Sequence, residues 1–182
     1  MQNQALIDPN PPAADLDRVQ SIFQQIEKVI GFIPDAIRLH AVSPPLLETF
    51  VRNVGYFRQH PSLSGPLTAM IRYLVSVESD CRFCIDLNEG FLTNAGLDLD
   101  AIRASRNNIE AAPLPDRDKA LLKVAVRSVE DPEGITAADI AVLRELDWAE
   151  RDIFDAVAQA ANNRALNFIL KTFKVREQGT FS

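Results

Sequence analysis

From Asp15 onward the apolar residues recur three or four positions apart, and no stretch alternates convincingly at the two-residue period of a half-buried strand. The pattern predicts an all-α fold of about eight or nine helices. Val19, Ile22, Phe23, Ile26, Val29 and Ile30 form the first stripe, opened by Asp15 as an N-cap and stopped by Gly31. Pro34, and then Ser43-Pro44, read as helix starts, one for a short helix to about Val42 and one for a longer helix to about Gln59. The breakers from Pro61 to Pro66 separate these from a helix with Leu67, Met70, Ile71, Leu74 and Val75 on one face, ending near Glu78.

Asp80 is placed to cap the next helix, with Cys81 in its first turn, Cys84, Leu87, Phe91 and Leu92 inside, and Gly96 at its end. A short helix from Asp98 to about Ser105 and a proline-containing connection from Asn107 to Pro115 follow. Asp116 then caps a helix striped with Leu121, Val124, Ala125 and Val129, and Asp131 to Gly134 turns the chain. Thr136 with Asp139 forms a capping signal for a helix holding Ile140, Leu143 and Leu146. Asp147 with Glu150 resembles a second capping box, opening a long final helix that carries Ile153, Val157, Ala160, Ala161, Phe168, Ile169 and Phe173. Residues 1–14, with Pro9, Pro11 and Pro12, are expected as an extended arm, leaving 15–182 as a single domain.

Composition narrows the function. A chain of 182 residues with 47% hydrophobic content can bury one ordinary core. Its net charge of −6 and its scattered Lys and Arg argue against a nucleic-acid or anionic-membrane partner, since phosphates select clustered cations. The first residues lack a secretory signal and no window matches a membrane span, so a cytoplasmic protein is expected.

Both cysteines lie in one C-x-x-C, Cys81-Arg82-Phe83-Cys84, at the start of a predicted helix. The backbone N–H groups and macrodipole of a helix start favour a thiolate, the reactive form of cysteine, and Arg82 adds a cation whereas Asp80 opposes it. The spacing lets the thiols meet within one turn and cycle between dithiol and disulfide, which suits peroxide reduction or disulfide exchange. A pair of small buried hydrophobes is the bland alternative. Zinc is disfavoured because it needs two more ligands and His40 and His60 form no ligand-like pair. A thioredoxin-type site is disfavoured because the βαβ context is missing. No metal and no cofactor are expected.

Gly31-Phe32-Ile33-Pro34-Asp35, then Ser43-Pro44-Pro45-Leu46-Leu47, then Ile71-Arg72-Tyr73-Leu74-Val75-Ser76 leading into the C-x-x-C, together resemble the carboxymuconolactone decarboxylase and alkylhydroperoxidase D-like superfamily, in its peroxidase-related branch. The resemblance runs from about Phe23 to Val175. It implies an all-α fold with the C-x-x-C heading a helix, in a homo-oligomer of two, three or six protomers. It also implies that Cys84 attacks a small hydroperoxide or disulfide substrate, that Cys81 closes the disulfide, and that a dedicated thiol reductant reopens it. Active members of the family place a glutamate where this chain has Ala69 and a histidine where it has Asn88. Asn88 shares a helical face with Cys84 and can hydrogen-bond a thiolate but cannot take its proton at neutral pH.

Glu78 continues the stripe of Ile71, Leu74 and Val75 and would serve as a base if buried, although a fraying helix end would turn it to water. Asp86 and Glu89 point away from the Cys81, Cys84 and Asn88 face and read as solubilising charges. His40 reads as a packing or surface residue, Asn162, Asn163 and Asn167 as mainly exposed, and Phe23, Phe32, Phe50, Phe57, Phe91, Phe154, Phe168 and Phe173 as core and subunit interface. The reading is a thiol-dependent peroxidase or disulfide reductase, weakened because Ala69 and Asn88 stand in for the relay. The alternatives are a carboxymuconolactone decarboxylase-like lyase, whose members generally lack the cysteine pair, and a noncatalytic oligomer with a redox-sensing pair.

Overall fold

The structure, a computed structural model, describes residues 5–181, so part of the expected N-terminal arm, residues 1–4, lies outside the described residues. Among the described residues there are nine α-helices: α1 Leu16–Ile30, α2 Asp35–His40, α3 Pro44–Arg58, α4 Gly65–Glu78, α5 Arg82–Asn94, α6 Leu99–Ala104, α7 Asp116–Glu130, α8 Ala137–Glu145 and α9 Glu150–Thr172. Short 3₁₀ turns lie at Ala13–Asp15, Ile109–Ala111 and Pro132–Gly134, and no strand is present among the described residues. The all-α expectation holds. No helix of the described chain is long and apolar enough to cross a membrane.

Internal contacts divide the chain into two units, residues 1–59 with 170–182, and residues 60–169. In the first, Val19 and Ile26 of α1, Ile37 of α2, Ala41 just after α2 and Leu47 of α3 form the core, with Phe23 and Phe50 against it. Arg18 grips Glu48 through two parallel hydrogen bonds of 2.6 Å, tying α1 to α3. The chain's end is bound into the same unit: the Leu6 N–H donates to the Phe173 carbonyl, and Gln178 Oε1 accepts from the Asp35 N–H.

The second unit is built on α4. Its first turn is capped by Ser64, whose Oγ accepts from the Leu67 N–H, and Pro66 sits where the missing N–H costs nothing. Leu67, Met70, Ile71, Leu74 and Val75 are all buried as the stripe predicts, and Ala69, Tyr73 and Ser76 are buried on the other faces. A helix covered nearly all round is a core helix. α5 and α7 pack against it, and each fully buried Leu or Ile contributes about 1.5–3 kcal/mol.

The α4–α5 junction differs from expectation in one informative way. Asp80 does not cap α5; it has φ +49° and ends α4. The Cys81 N–H donates to the Ser76 carbonyl and the Asp80 N–H to that of Val77, the paired bonds of a Schellman stop with Asp80 in the left-handed position. Asp tolerates that conformation better than most residues, at a cost glycine would not bear. Cys81 is therefore the N-cap of α5 and Cys84 lies in its first turn. The same device recurs after α8, where Asp147 at φ +61° is the stop of one helix and not the cap of the next. The first-turn bond of α9 runs instead from the Ala149 N–H to Asp152 Oδ2.

Candidate functional site

Cys81 and Cys84 are both reduced and each is 2% exposed. Their sulfurs are in hydrogen-bonding contact with one another. Around Cys84 the second unit gathers side chains from three helices. Ser76 of α4 and Asn167 of α9 hydrogen-bond the Cys84 sulfur. Asn167 Nδ2 also donates to Ser76 Oγ at 3.2 Å, and Asn163 Nδ2 lies 2.9 Å from the same oxygen and 3.0 Å from the Arg72 carbonyl. On α5, Asn88 Nδ2 donates to the Cys84 carbonyl at 2.8 Å, while its Oδ1 accepts from Arg72 Nε at 3.0 Å.

The electrostatics follow from this arrangement. The adjoining Cys81 sulfur, and after it burial, push the Cys84 thiol up, while Asn167 and Ser76 pull it down. Two sulfurs in contact do not both ionise readily, so the pair behaves as one acid that gives up a single proton. Removal from water lowers the Arg72 guanidinium to about 10, and a Cys84 thiolate pulls it back up. It remains a cation at neutral pH.

Of the residues singled out from the sequence, Cys81, Cys84 and Asn88 are brought together. Ala69 is buried on α4 and carries no chemistry. Glu78 is exposed at the last residue of α4, so the burial that would have tuned it as a base is absent. Asp86 is exposed and pairs with Arg82 at 3.5 Å, in keeping with a solubilising role. Glu89 is not solubilising: it is buried, accepts from the Tyr73 hydroxyl at 2.7 Å and from Arg103 at 3.1 Å, and is gripped by Arg106. Asn162 is exposed, whereas Asn163 and Asn167 are buried against the expectation. The buried face of α9 is Ile153, Ala156, Ala160, Asn163, Asn167 and Leu170, which leaves Phe154 and Phe168 71% and 57% exposed and removes them from the core. His40, in the first unit, stacks on Phe50 at 4.3 Å and its Nδ1 bonds the Ala36 carbonyl.

Arg72 and Ser76 are the site residues that sequence reasoning did not single out. The available signal was spacing, since Ser76 lies one turn beyond Arg72 on the helix that leads into Cys81. No group of three or more His, Cys, Asp or Glu able to hold a metal occurs among the described residues. His60 is committed elsewhere: its Nδ1 accepts from the Ser62 and Leu63 N–H groups, which leaves Nε2 to donate to Asp155 at 3.0 Å.

The helical architecture is shared with solved structures of the alkylhydroperoxidase D-like class, and the chain has that fold. It is similar to an uncharacterised peroxidase-related protein from Silicibacter sp. TM1040, with 22% identity, a TM-score of 0.81, and coverage of 95% of this chain and 91% of that one. A second peroxidase-related protein, an alkylhydroperoxidase core from Ralstonia eutropha JMP134, gives 22% identity, a TM-score of 0.77, and coverage of 91% and 87%. A variant of the debrominase Bmp8 bound to 2,3,4-tribromopyrrole gives 15% identity, a TM-score of 0.77, and coverage of 97% and 95%. No protein-family model matches the chain, and no curated protein matches it.

Proposed function

We propose that this protein is a thiol-dependent peroxidase or disulfide reductase whose working groups are Cys84 and Cys81. The observation that carries the reading is the polar shell. Two cysteines serving only as core filler would be surrounded by apolar side chains, whereas Cys84 contacts Ser76 and Asn167, with Asn163, Asn88 and Arg72 behind them. Buried polar groups need hydrogen bonds, and these form one bonded network that converges on the Cys84 sulfur.

In the peroxidase reaction the Cys84 thiolate attacks one oxygen of the hydroperoxide. The S–O bond forms, the O–O bond breaks, and the departing alkoxide takes a proton from solvent to leave as the alcohol. Cys81 then attacks the sulfenic sulfur, water leaves, and the disulfide closes. An external dithiol supplies the two electrons and two protons that restore the pair. Neither Asn88 nor Ser76 is a base at neutral pH, so the Cys84 proton, which Cys81 and burial hold on the thiol, must pass to solvent before attack. Both sulfurs are enclosed, so turnover requires local opening around the pair.

The debrominase among the similar structures favours a second reading, in which the same dithiol reduces a halogenated aromatic. A proton replaces the halogen, halide leaves, and Cys81 and Cys84 become the disulfide. A homo-oligomer accompanies either reading, supported by Phe154, Phe168 and Ile169 standing in solvent along α9. The deciding experiment follows consumption of cumene hydroperoxide, and separately release of bromide from a bromopyrrole, with dithiothreitol as reductant. Cys84→Ser abolishes the true activity; equal rates for parent and variant on both substrates would refute both readings.

A further inference from the structure

Arg72 is half-buried, with its guanidinium drawn in among the helices. Its side chain makes one hydrogen bond, from Nε to Asn88 Oδ1, and among the described residues it has no carboxylate within ion-pair distance. Arg82 pairs with Asp86, and Arg103 and Arg106 share Glu89, whereas Arg164 of α9, like Arg72, has no carboxylate within ion-pair distance among the described residues and lies over the Phe168 ring. A cation taken from water without an anion is expensive, and proteins rarely carry one unless something ionises beside it.

The group beside it is Cys84. Ser76, one turn beyond Arg72 on α4, reaches the Cys84 sulfur, and Asn88 bridges the two helices, holding the guanidinium through Oδ1 at 3.0 Å and the Cys84 carbonyl through Nδ2 at 2.8 Å. The remaining titratable groups on the packed elements are placed elsewhere: Glu78 and Asp80 are exposed at the end of α4, Asp86 is exposed on α5, Glu89 is held by Tyr73 and two arginines, and Glu130 is exposed on α7. Ser76, Asn88, Asn163 and Asn167 are neutral. Cys81 shares its proton with Cys84 and adds no cation.

We propose that Arg72 is the counter-ion of the Cys84 thiolate, and that this pairing, present only while the dithiol is reduced, makes the Cys81–Cys84 couple an oxidising one. The inference rests on the reading of the pair as redox-active. When the disulfide is reduced by glutathione, two glutathione thiols join as their own disulfide and supply two electrons. The Cys81–Cys84 bond breaks, one sulfur takes a proton, the other remains the thiolate facing Arg72, and the second proton goes to solvent. Oxidation reverses this and leaves Arg72 with no anion. The disulfide state therefore carries the uncompensated charge and the reduced state is favoured. The cation occupies the role left open by Ala69 and Asn88, acting on the thiol through charge and not through proton transfer.

Two readouts test this without any peroxide, so failure of the peroxidase reading and failure of this one are separable. The first is the equilibrium of the purified full chain with glutathione and its disulfide. The second is the pH titration of Cys84, followed by the NMR shift of its Cβ in a Cys81→Ser background. Arg72→Gln keeps a donor for Asn88 and removes the charge; it shifts the glutathione equilibrium about tenfold toward the protein disulfide, about 30 mV, and moves the Cys84 titration up by about one unit. Arg72→Lys keeps the charge and stays near the parent in both. Thermal unfolding of each variant shows that it is folded. A Gln variant indistinguishable from the parent overturns the proposal, and so does a Lys variant that falls with Gln, since that would assign the effect to shape and not charge.

Discussion

Two neighbouring residues on α5 reach to two neighbouring residues on α4, and the two contacts teach opposite lessons. Asn88 meets Arg72, and Glu89 meets Tyr73. Around Glu89 every charge is answered: Arg103 and Arg106 bind its oxygens, and the Tyr73 hydroxyl both donates to Glu89 and accepts from Arg106 Nε. Around Asn88 a cation is left without a carboxylate and a thiol without a base. The saturated cluster is a fastening between α4, α5 and the α6 region, and the unsaturated one is where chemistry is available. Charge balance separates them, though both are polar clusters in the same helix packing.

The sharpest way to break that contrast is to remove the central group of each cluster. Cys84→Ser eliminates turnover entirely while costing less than about 1 kcal/mol, because Ser76 and Asn167 satisfy the new hydroxyl as they satisfy the thiol; rates and urea unfolding measure the two effects. Glu89→Ala should do the reverse, destabilising by about 1–3 kcal/mol by removing the acceptor of Tyr73 and of two partly exposed arginines, with glutathione equilibrium of the cysteine pair unchanged in the folded protein. If Glu89→Ala altered the thiol equilibrium as Arg72→Gln does, the two clusters would be one.

A pH test sharpens the same point. Burial pushes the Glu89 carboxyl up, but Arg103, Tyr73 and Arg106 outweigh it and hold the group below its ordinary range. Its stabilisation is therefore complete above the unfolded carboxylate value of about 4.3 and is lost as pH falls through the lower folded value. Glu89→Gln should flatten the acid limb of the unfolding curve below that point. Tyr73, pushed up to about 12 by burial and by Glu89, stays protonated throughout. The smallest expected effect is at the junction between the clusters. Asp80→Gly relieves the positive φ and raises stability by up to about 1 kcal/mol in chemical denaturation, whereas Asp80→Val lowers it.

Helical periodicity carried the fold far. Gly31 and Gly96 both end their helices at positive φ as expected, Thr136 caps α8, and the α4 stripe is buried throughout. Helix ends without glycine were hidden. Asp80, Asp147 and Lys174 all adopt positive φ, and an Asp before a helical run reads as an N-cap when its conformation is invisible. The face of α9 was misassigned for a related reason. Phenylalanines attract a core assignment and asparagines repel one, but here Asn163 and Asn167 are paid for by bonds to Ser76, Arg72 and each other, which only the fold supplies. The cysteine pair was legible from its spacing, and Asn88 from the family resemblance that puts a histidine there together with the helical face it shares with Cys84. Glu89 was not, because its partners come from α4 and α6 and the segment after it, across sequence gaps that periodicity does not span.

The most direct test of the central claim is a single turnover. Fully reduced protein is mixed with one equivalent of cumene hydroperoxide in the absence of any other thiol, and the products are read by mass spectrometry of the cysteine-containing peptide. The expected result is loss of two hydrogens as the Cys81–Cys84 disulfide forms, with cumyl alcohol in matching amount, and Cys81→Ser trapping a sulfenic acid on Cys84. Unchanged thiols beside unconsumed hydroperoxide would contradict it.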